Sequence, residues 1–266
     1  MPVSFDRVAD VYDVTRGGGD RVARFADRLA ALLPPNGIVL DIGAGTGMLT
    51  AAVTDRRGYV FGVDIAARML ALAGERLPGR LVRADAGRLP FQDDTFSAAY
   101  AVWVLHLFGN PTTVLAEAAR VLIAGGRLVI MTTNRHKRHD DLSDLVDPVL
   151  ERLRPDRPTR DDPVNLTRLA TDAGLQLEKL DWVADEFMGN SPREEAQRME
   201  TRSTSVLWEL TDDEWAQAIV PLLARIRALP DPDRPRRLRA ENAVIVLAKT
   251  GHGPSRRRGA IGRAYK

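Results

Sequence analysis

The chain has 266 residues, 44% of them apolar and 28% charged, enough for one large domain or a domain with a cap. It has no cysteine, which excludes disulfides, thiolate metal sites and a cysteine nucleophile. No apolar run approaches the roughly 18–20 residues that cross a bilayer, and MPVSFDRVADVYD carries acids where a secretory signal needs an apolar stretch, so a cytoplasmic protein with no membrane partner is expected.

Taken in chain order, residues 21–33 place Val22, Phe25, Ala26, Leu29, Leu32 and Leu33 at helical spacing, and Pro34 and Pro35 end the pattern. From Ile38 the texture changes to short apolar runs divided by Gly and Asp: IVLDIG, YVFGVD, RLVRAD, FSAAYAVWVL and GRLVIMTT. These read as buried strands. Helices are expected between them over Met48–Thr54 and Ala66–Leu77, with a third capped by Asn110, opened by Pro111 and followed by Gly125 and Gly126. Alternating strand and helix implies a parallel sheet covered on both faces. After residue 134 a charged segment with one helix leads to a helix over Val164–Ala173. LQLEKLDWVADEF alternates as a sixth strand, and NAVIVLAK is a seventh. Between them, Ser191 with Glu194 and Thr211 with Glu214 form capping boxes, the second opening a helix with Trp215, Ala218, Ile219, Leu222, Leu223, Ile226 and Leu229 on one stripe. The last residues, 251–266, hold Arg256, Arg257, Arg258, Arg263 and Lys266 and no acid; they read as a solvated basic tail rather than a nucleic-acid tether, because only Tyr265 is interleaved.

The sharpest chemical signal is VLDIGAGTGM, where Asp41, Gly43, Ala44, Gly45 and Gly47 follow a strand and open a helix. Such a turn brings a ligand against bare backbone N–H groups. A dinucleotide fingerprint needs glycine at 48, where Met48 stands, so the spacing fits an adenosylmethionine site better than an NAD site. Asp64 ends the second strand, beside that turn, and its carboxylate suits both hydroxyls of a ribose; capping the following helix is its alternative use. In RADAGRLPF, Asp85 can accept the adenine amine, Ala86 offers a backbone N–H, and Ile65 or Met69 covers a ring face.

With these motifs in order from Val39 to Met131, the chain resembles the class I S-adenosylmethionine-dependent methyltransferases, in the small-molecule group of the ubiquinone-biosynthesis type. VLDIGAGTG resembles the first motif, GVDIAARML the ribose motif, ADAGRLPFQDDTFS the adenine motif, and EAARVLIAGGRLVI the helix, turn and fifth strand. The resemblance implies an α/β, Rossmann-like, doubly wound, seven-stranded and mostly parallel sheet with helical insertions and an antiparallel last strand. It implies S-adenosylmethionine as cofactor, with Asp64 on ribose, Asp85 on adenine, Gly43 and Gly45 near the methionine end, and the Ala101 backbone near the methionyl amine. FDRVADVYDVTRG resembles the lead-in that folds over the cofactor, which makes Tyr12 and Arg16 candidates for closing the pocket. Ser97, where many relatives carry Asp, departs from the pattern. One domain is expected over 1–250: a lid at 1–36, a cofactor core at 37–134, acceptor-side helices and the sixth strand at 135–241, and the last strand at 242–250.

Methyl transfer from a sulfonium is an in-line displacement, so alignment and exclusion of water matter more than protein nucleophiles. His106, just beyond the fourth strand, is the best-placed candidate base, with a pocket-lining role as the alternative; His136 and His139 lie in a charged loop and His252 in the tail. No metal site is expected, since Asp140–Asp141 and Asp161–Asp162 are adjacent pairs in charged loops. The D/N-P-P-Y/F motif of DNA amino methylation is absent at YAVWVL, so the expected acceptor is a small molecule. Trp103, Phe108, Trp182, Phe187, Met188, Met199 and Trp208 are the large side chains available to its pocket, which favours an apolar or aromatic acceptor. A rearrangement or cyclisation catalyst and a non-catalytic sensor of the same fold remain the competing functions.

Overall fold

Short runs of Val, Ile, Leu and Ala bounded by glycine or acid become the strands of one sheet: β1 Val39–Ile42, β2 Val60–Asp64, β3 Leu81–Arg83, β4 Phe96–Val102, β5 Leu122–Asn134, β6 Leu175–Met188 and β7 Arg237–Lys249. The computed structural model describes residues 5, 9–13, 18–134, 140–153, 162–203, 205–208 and 210–251. Arg16, His136, His139, His252, Asp161 and the basic tail lie outside them. The strand order is β3-β2-β1-β4-β5-β7-β6. Strands β1 to β5 pair in parallel, and β7 runs antiparallel to both its neighbours, as the resemblance implies.

Strand periodicity sorts the core into two layers. Val39, Ala98, Tyr100, Val129 and Val244 face the helices α2 (Gly18–Leu32) and α3 (Met48–Arg57), which contribute Phe25, Leu29 and Val53. Leu40, Ile42, Ala99, Ile130 and Ile245 face Leu115 and Leu166 of α5 (Pro111–Val121) and α7 (Pro163–Asp172). The short α1 (Ala9–Tyr12) lies on α4 (Ala67–Arg76). A separate cluster holds the cap together, drawing on α6 (Asp141–Leu153), α8 (Pro192–Glu200) and α10 (Val220–Arg227), which follows α9 (Asp212–Glu214) and a π turn at Trp215–Ile219. Both capping boxes form. The π turn was not visible in the stripe; Pro221, which lacks an N–H, follows it, and the Val220 amide bonds back to the Trp215 carbonyl.

Strand β7 begins at Arg237, earlier than the apolar run NAVIVLAK announces. Its first residues pair with the end of β6, burying Leu238 and Ala240 between the charged Arg237, Arg239 and Glu241, so this part of the ribbon reads as loop in sequence. Among the described residues, no helix is long and apolar enough to cross a membrane. The strand order reverses between β1 and β4, which opens a crevice at their C-terminal ends.

Candidate active site

The glycine-rich turn fills that crevice. Gly43 has φ 83°, and a Cβ there would lie 2.4 Å from Val104 beyond β4, so only glycine admits both the turn and the close approach. Gly45 has φ 56°, and a Cβ there would meet nothing within 4 Å, so the turn is sterically open there; the bare amides expected of it are instead engaged, Gly43 and Ala44 donating to the Val63 carbonyl and Gly47 to that of Ala44. Asp41 is below the turn, 3% exposed, accepting from Thr50 Oγ1 at 2.7 Å. Burial pushes its carboxyl up to about 7, against the pull of Thr50 and Tyr100. It faces the interior.

Asp64 stands on the open side. Its two oxygens accept from the Gly45 amide and the Ala66 amide, each at 2.8 Å. Both uses foreseen for this acid are therefore compatible: it steadies the start of α4, and each oxygen keeps a lone pair for a hydroxyl donor. Asp85, past β3, is exposed and accepts from the Gly87 amide at 2.8 Å. Ala86 is buried beside it. Of the two apolar candidates, Ile65 is 46% exposed and Met69 only 2%, covered by Ala9 of α1.

Sequence reading missed what holds the Asp85 loop. Arg120 of α5 donates to the Leu89 and Phe91 carbonyls at 3.0 and 2.7 Å, and Glu117 accepts from the Leu89 amide at 2.7 Å. Arg120 beside Glu117 lowers the pKa of that carboxyl, so the staple is an ion pair as well. The EAAR stretch is visible in sequence, but its partner loop is about 30 residues away.

At the end of β4, Ala101 is buried, and Trp103 adopts φ 52°, a left-handed backbone unusual for a bulky residue. Its indole donates to Asn242 Oδ1 at 3.0 Å. The Arg21 guanidinium lies 4.2 Å from the centres of both the Trp103 and Phe187 rings and is paired with the buried Asp185 at 2.7 Å. His106 is half-buried on the 3₁₀ turn Leu105–Leu107. Tyr12 packs edge-on to Phe5 at the rim near Met69. Of the other large side chains, Met199 belongs to the cap core, Trp182 and Met188 are exposed on β6, and Trp208 meets Phe5. Asp140 and Asp162 cap α6 and α7, and Asp141 pairs with Arg236. Ser97 binds the Ile38 carbonyl near the start of β4, away from the crevice.

Residues 40–130 match the family model described as a methyltransferase domain. A demethylmenaquinone methyltransferase from Corynebacterium kroppenstedtii is 39% identical over 130 residues, which cover 47% of this chain and 56% of that protein. The chain thus spans little more than half the length of the curated relatives it matches. A solved structure of a putative methyltransferase from Bacillus halodurans C-125 superposes with TM-score 0.58 at 22% identity, covering 87% of this chain and all of that one. The [4+2]-cyclase SpnF superposes with TM-score 0.58 at 18% identity over 92% and 94% of the two chains. The fold is that of the Rossmann-like methyltransferases. Residues 40–130 are thus a methyltransferase-type domain by sequence, set in the fold of the solved methyltransferases.

Proposed function

We propose that the protein transfers a methyl group from S-adenosylmethionine to a small, apolar or aromatic acceptor in the cytoplasm. The observation that carries this reading is Asp64, at the end of β2, tethered to the Ala66 amide and to the Gly45 amide of the turn that follows β1. Held by backbone amides, its oxygens keep lone pairs for ribose hydroxyls. The cofactor, when bound, supplies a sulfonium methyl.

In this proposal Asp85 and the Ala86 amide take the adenine edge, exposed Ile65 covers a ring face, and Met69 supports it from behind under α1. Gly43, Ala44, Gly45 and Gly47 present backbone to the methionine end beside the Ala101 backbone, and Asp41 acts through the turn. Tyr12 closes the rim, and Arg16 is assigned to the cofactor carboxylate. Trp103, braced by Asn242 and Arg21, walls the acceptor side with Phe108. His106 lines that wall and need not move a proton. Nucleic acid and membrane have no place in the proposal.

Calorimetric titration with S-adenosylmethionine and S-adenosylhomocysteine tests the site: micromolar binding weakened by Asp64→Ala and Asp85→Ala is expected. Wild-type protein that binds neither ligand overturns the reading. Turnover of a 1,4-dihydroxynaphthalene acceptor, followed without oxygen, should release S-adenosylhomocysteine in step with methylated product; no release would remove this acceptor class from the reading.

A further inference from the structure

The glycine-rich turn is gripped from outside the sheet at Thr46, the residue between Gly45 and Gly47. Thr46 is 3% exposed and donates its hydroxyl to Asp13 Oδ1. Arg76, at the end of α4, donates to the Thr46 carbonyl at 2.7 Å and to Asp13 Oδ2 at 2.8 Å. Side chain and backbone of one turn residue are thereby fixed together. Just before Asp13, α1 buries Ala9 against Ala66 and Met69, with Phe5, Tyr12 and Trp208 around it. The Ala66 amide is one of the two that orient Asp64. Phe5 also meets the Trp208 ring of the cap edge-on at 5.2 Å, so the N-terminal segment touches cap, α4 and turn.

We propose that Asp13 and Arg76 are positioning residues of the cofactor site, and that the segment Ala9–Asp13 and the glycine-rich turn are coupled in ligand binding. The inference rests on the cofactor reading above. A turn containing three left-handed glycines loses much backbone freedom when a ligand fixes it. The Asp13–Thr46–Arg76 bonds remove part of that freedom beforehand, which raises affinity. Coupling is reciprocal: ligand on the turn strengthens docking of the segment by the factor that docking strengthens the ligand.

The test titrates the full chain with S-adenosylhomocysteine and follows amide hydrogen exchange at residues 9–13. In the wild type, ligand slows exchange there. Asp13→Ala and Arg76→Met each weaken binding by about 5- to 30-fold, in line with loss of one or two hydrogen bonds to a charged partner. The double variant loses less than the two effects combined, because both act through Thr46. Thr46→Val, which keeps the Arg76 bridge to the residue-46 carbonyl and to Asp13, reduces the ligand-induced protection, and Thr46→Ser restores it. Folded variants that melt earlier yet keep wild-type affinity and protection overturn this inference alone. Absence of binding in the wild type overturns the cofactor reading and this inference with it.

Discussion

Asp64 and Asp185 stand near the C-terminal ends of β2 and β6, on opposite sides of the sheet, and they are held in opposite ways. Asp64 is fixed by two backbone amides. Asp185 is enclosed by guanidinium groups, Arg21 at 2.7 Å and Arg24 at 3.4 Å, with aromatic rings over Arg21. Amide donors set the direction of a carboxylate without cancelling its charge, whereas a guanidinium cancels it and occupies its oxygens. The end of β2 therefore holds its acid by amides alone, and the seam between α2 and β6 uses its acid to hold itself together.

Breaking the seam should produce the largest effect. Asp185→Ala leaves Arg21 buried without its counter-charge and is expected to cost about 3–5 kcal/mol of stability, read by urea denaturation. Replacing both partners, Arg21→Met with Asp185→Leu, should cost far less. An Asp185→Ala protein as stable as wild type would mean that the seam does not depend on the pair.

Asp41 shows a third way of holding an acid: burial makes it retain a proton. Its carboxyl is raised from an ordinary 3.8 to about 7, so between those values the native state binds a proton that the unfolded chain has released. Stability should therefore fall as pH rises across that window and level off above it, by at most about 1.4 kcal/mol per pH unit from this group. Asp41→Asn keeps a neutral polar side chain and should remove that slope, as the difference between the two proteins' stability–pH curves would show. Parallel curves would sink the assignment.

Asp64→Ala should do the reverse of Asp185→Ala. Charged hydrogen bonds are worth about 1.5–3 kcal/mol each, so S-adenosylhomocysteine should bind roughly 10- to 100-fold more weakly, with a smaller loss of stability. Calorimetry and a melting curve on the same preparation separate the two. If the melting point collapses while the affinity of the folded fraction holds, Asp64 is a helix steadier and no ribose ligand.

The two sides also differ in how much of them could be read from sequence. Strands β1 to β4, the left-handed turn and the acids past β2 and β3 follow local rules of alternation, glycine placement and spacing from a strand end. The seam does not: Arg21 and Asp185 are 164 residues apart, and nothing near either one announces the other. The Arg120 staple and the Asp13–Thr46–Arg76 grip were hidden for the same reason. The start of β7 was hidden differently, because LRAE places charge on exposed positions of a ribbon and imitates a loop.

Ile65 offers the smallest and cleanest contrast. The choice between Ile65 and Met69 as the side chain over a planar ligand could not be made from spacing, since both lie near Asp64. In the fold Ile65 is 46% exposed whereas Met69 is covered, so truncating each should act on a different quantity. Ile65→Ala trims a side chain of which nearly half is open to a ligand; at about 25 cal/mol per Å² it should weaken S-adenosylhomocysteine by about 0.5–1.5 kcal/mol, with a smaller loss of stability than Met69→Ala. Met69→Ala opens a cavity under α1 and should destabilise the protein by about 2–5 kcal/mol, so that any effect on affinity follows from the loss of α1 docking. Measuring both by calorimetry and thermal unfolding decides whether exposure marks the ligand face. If Ile65→Ala leaves affinity untouched, the ring lies elsewhere, and Asp85 loses its assigned partner as well.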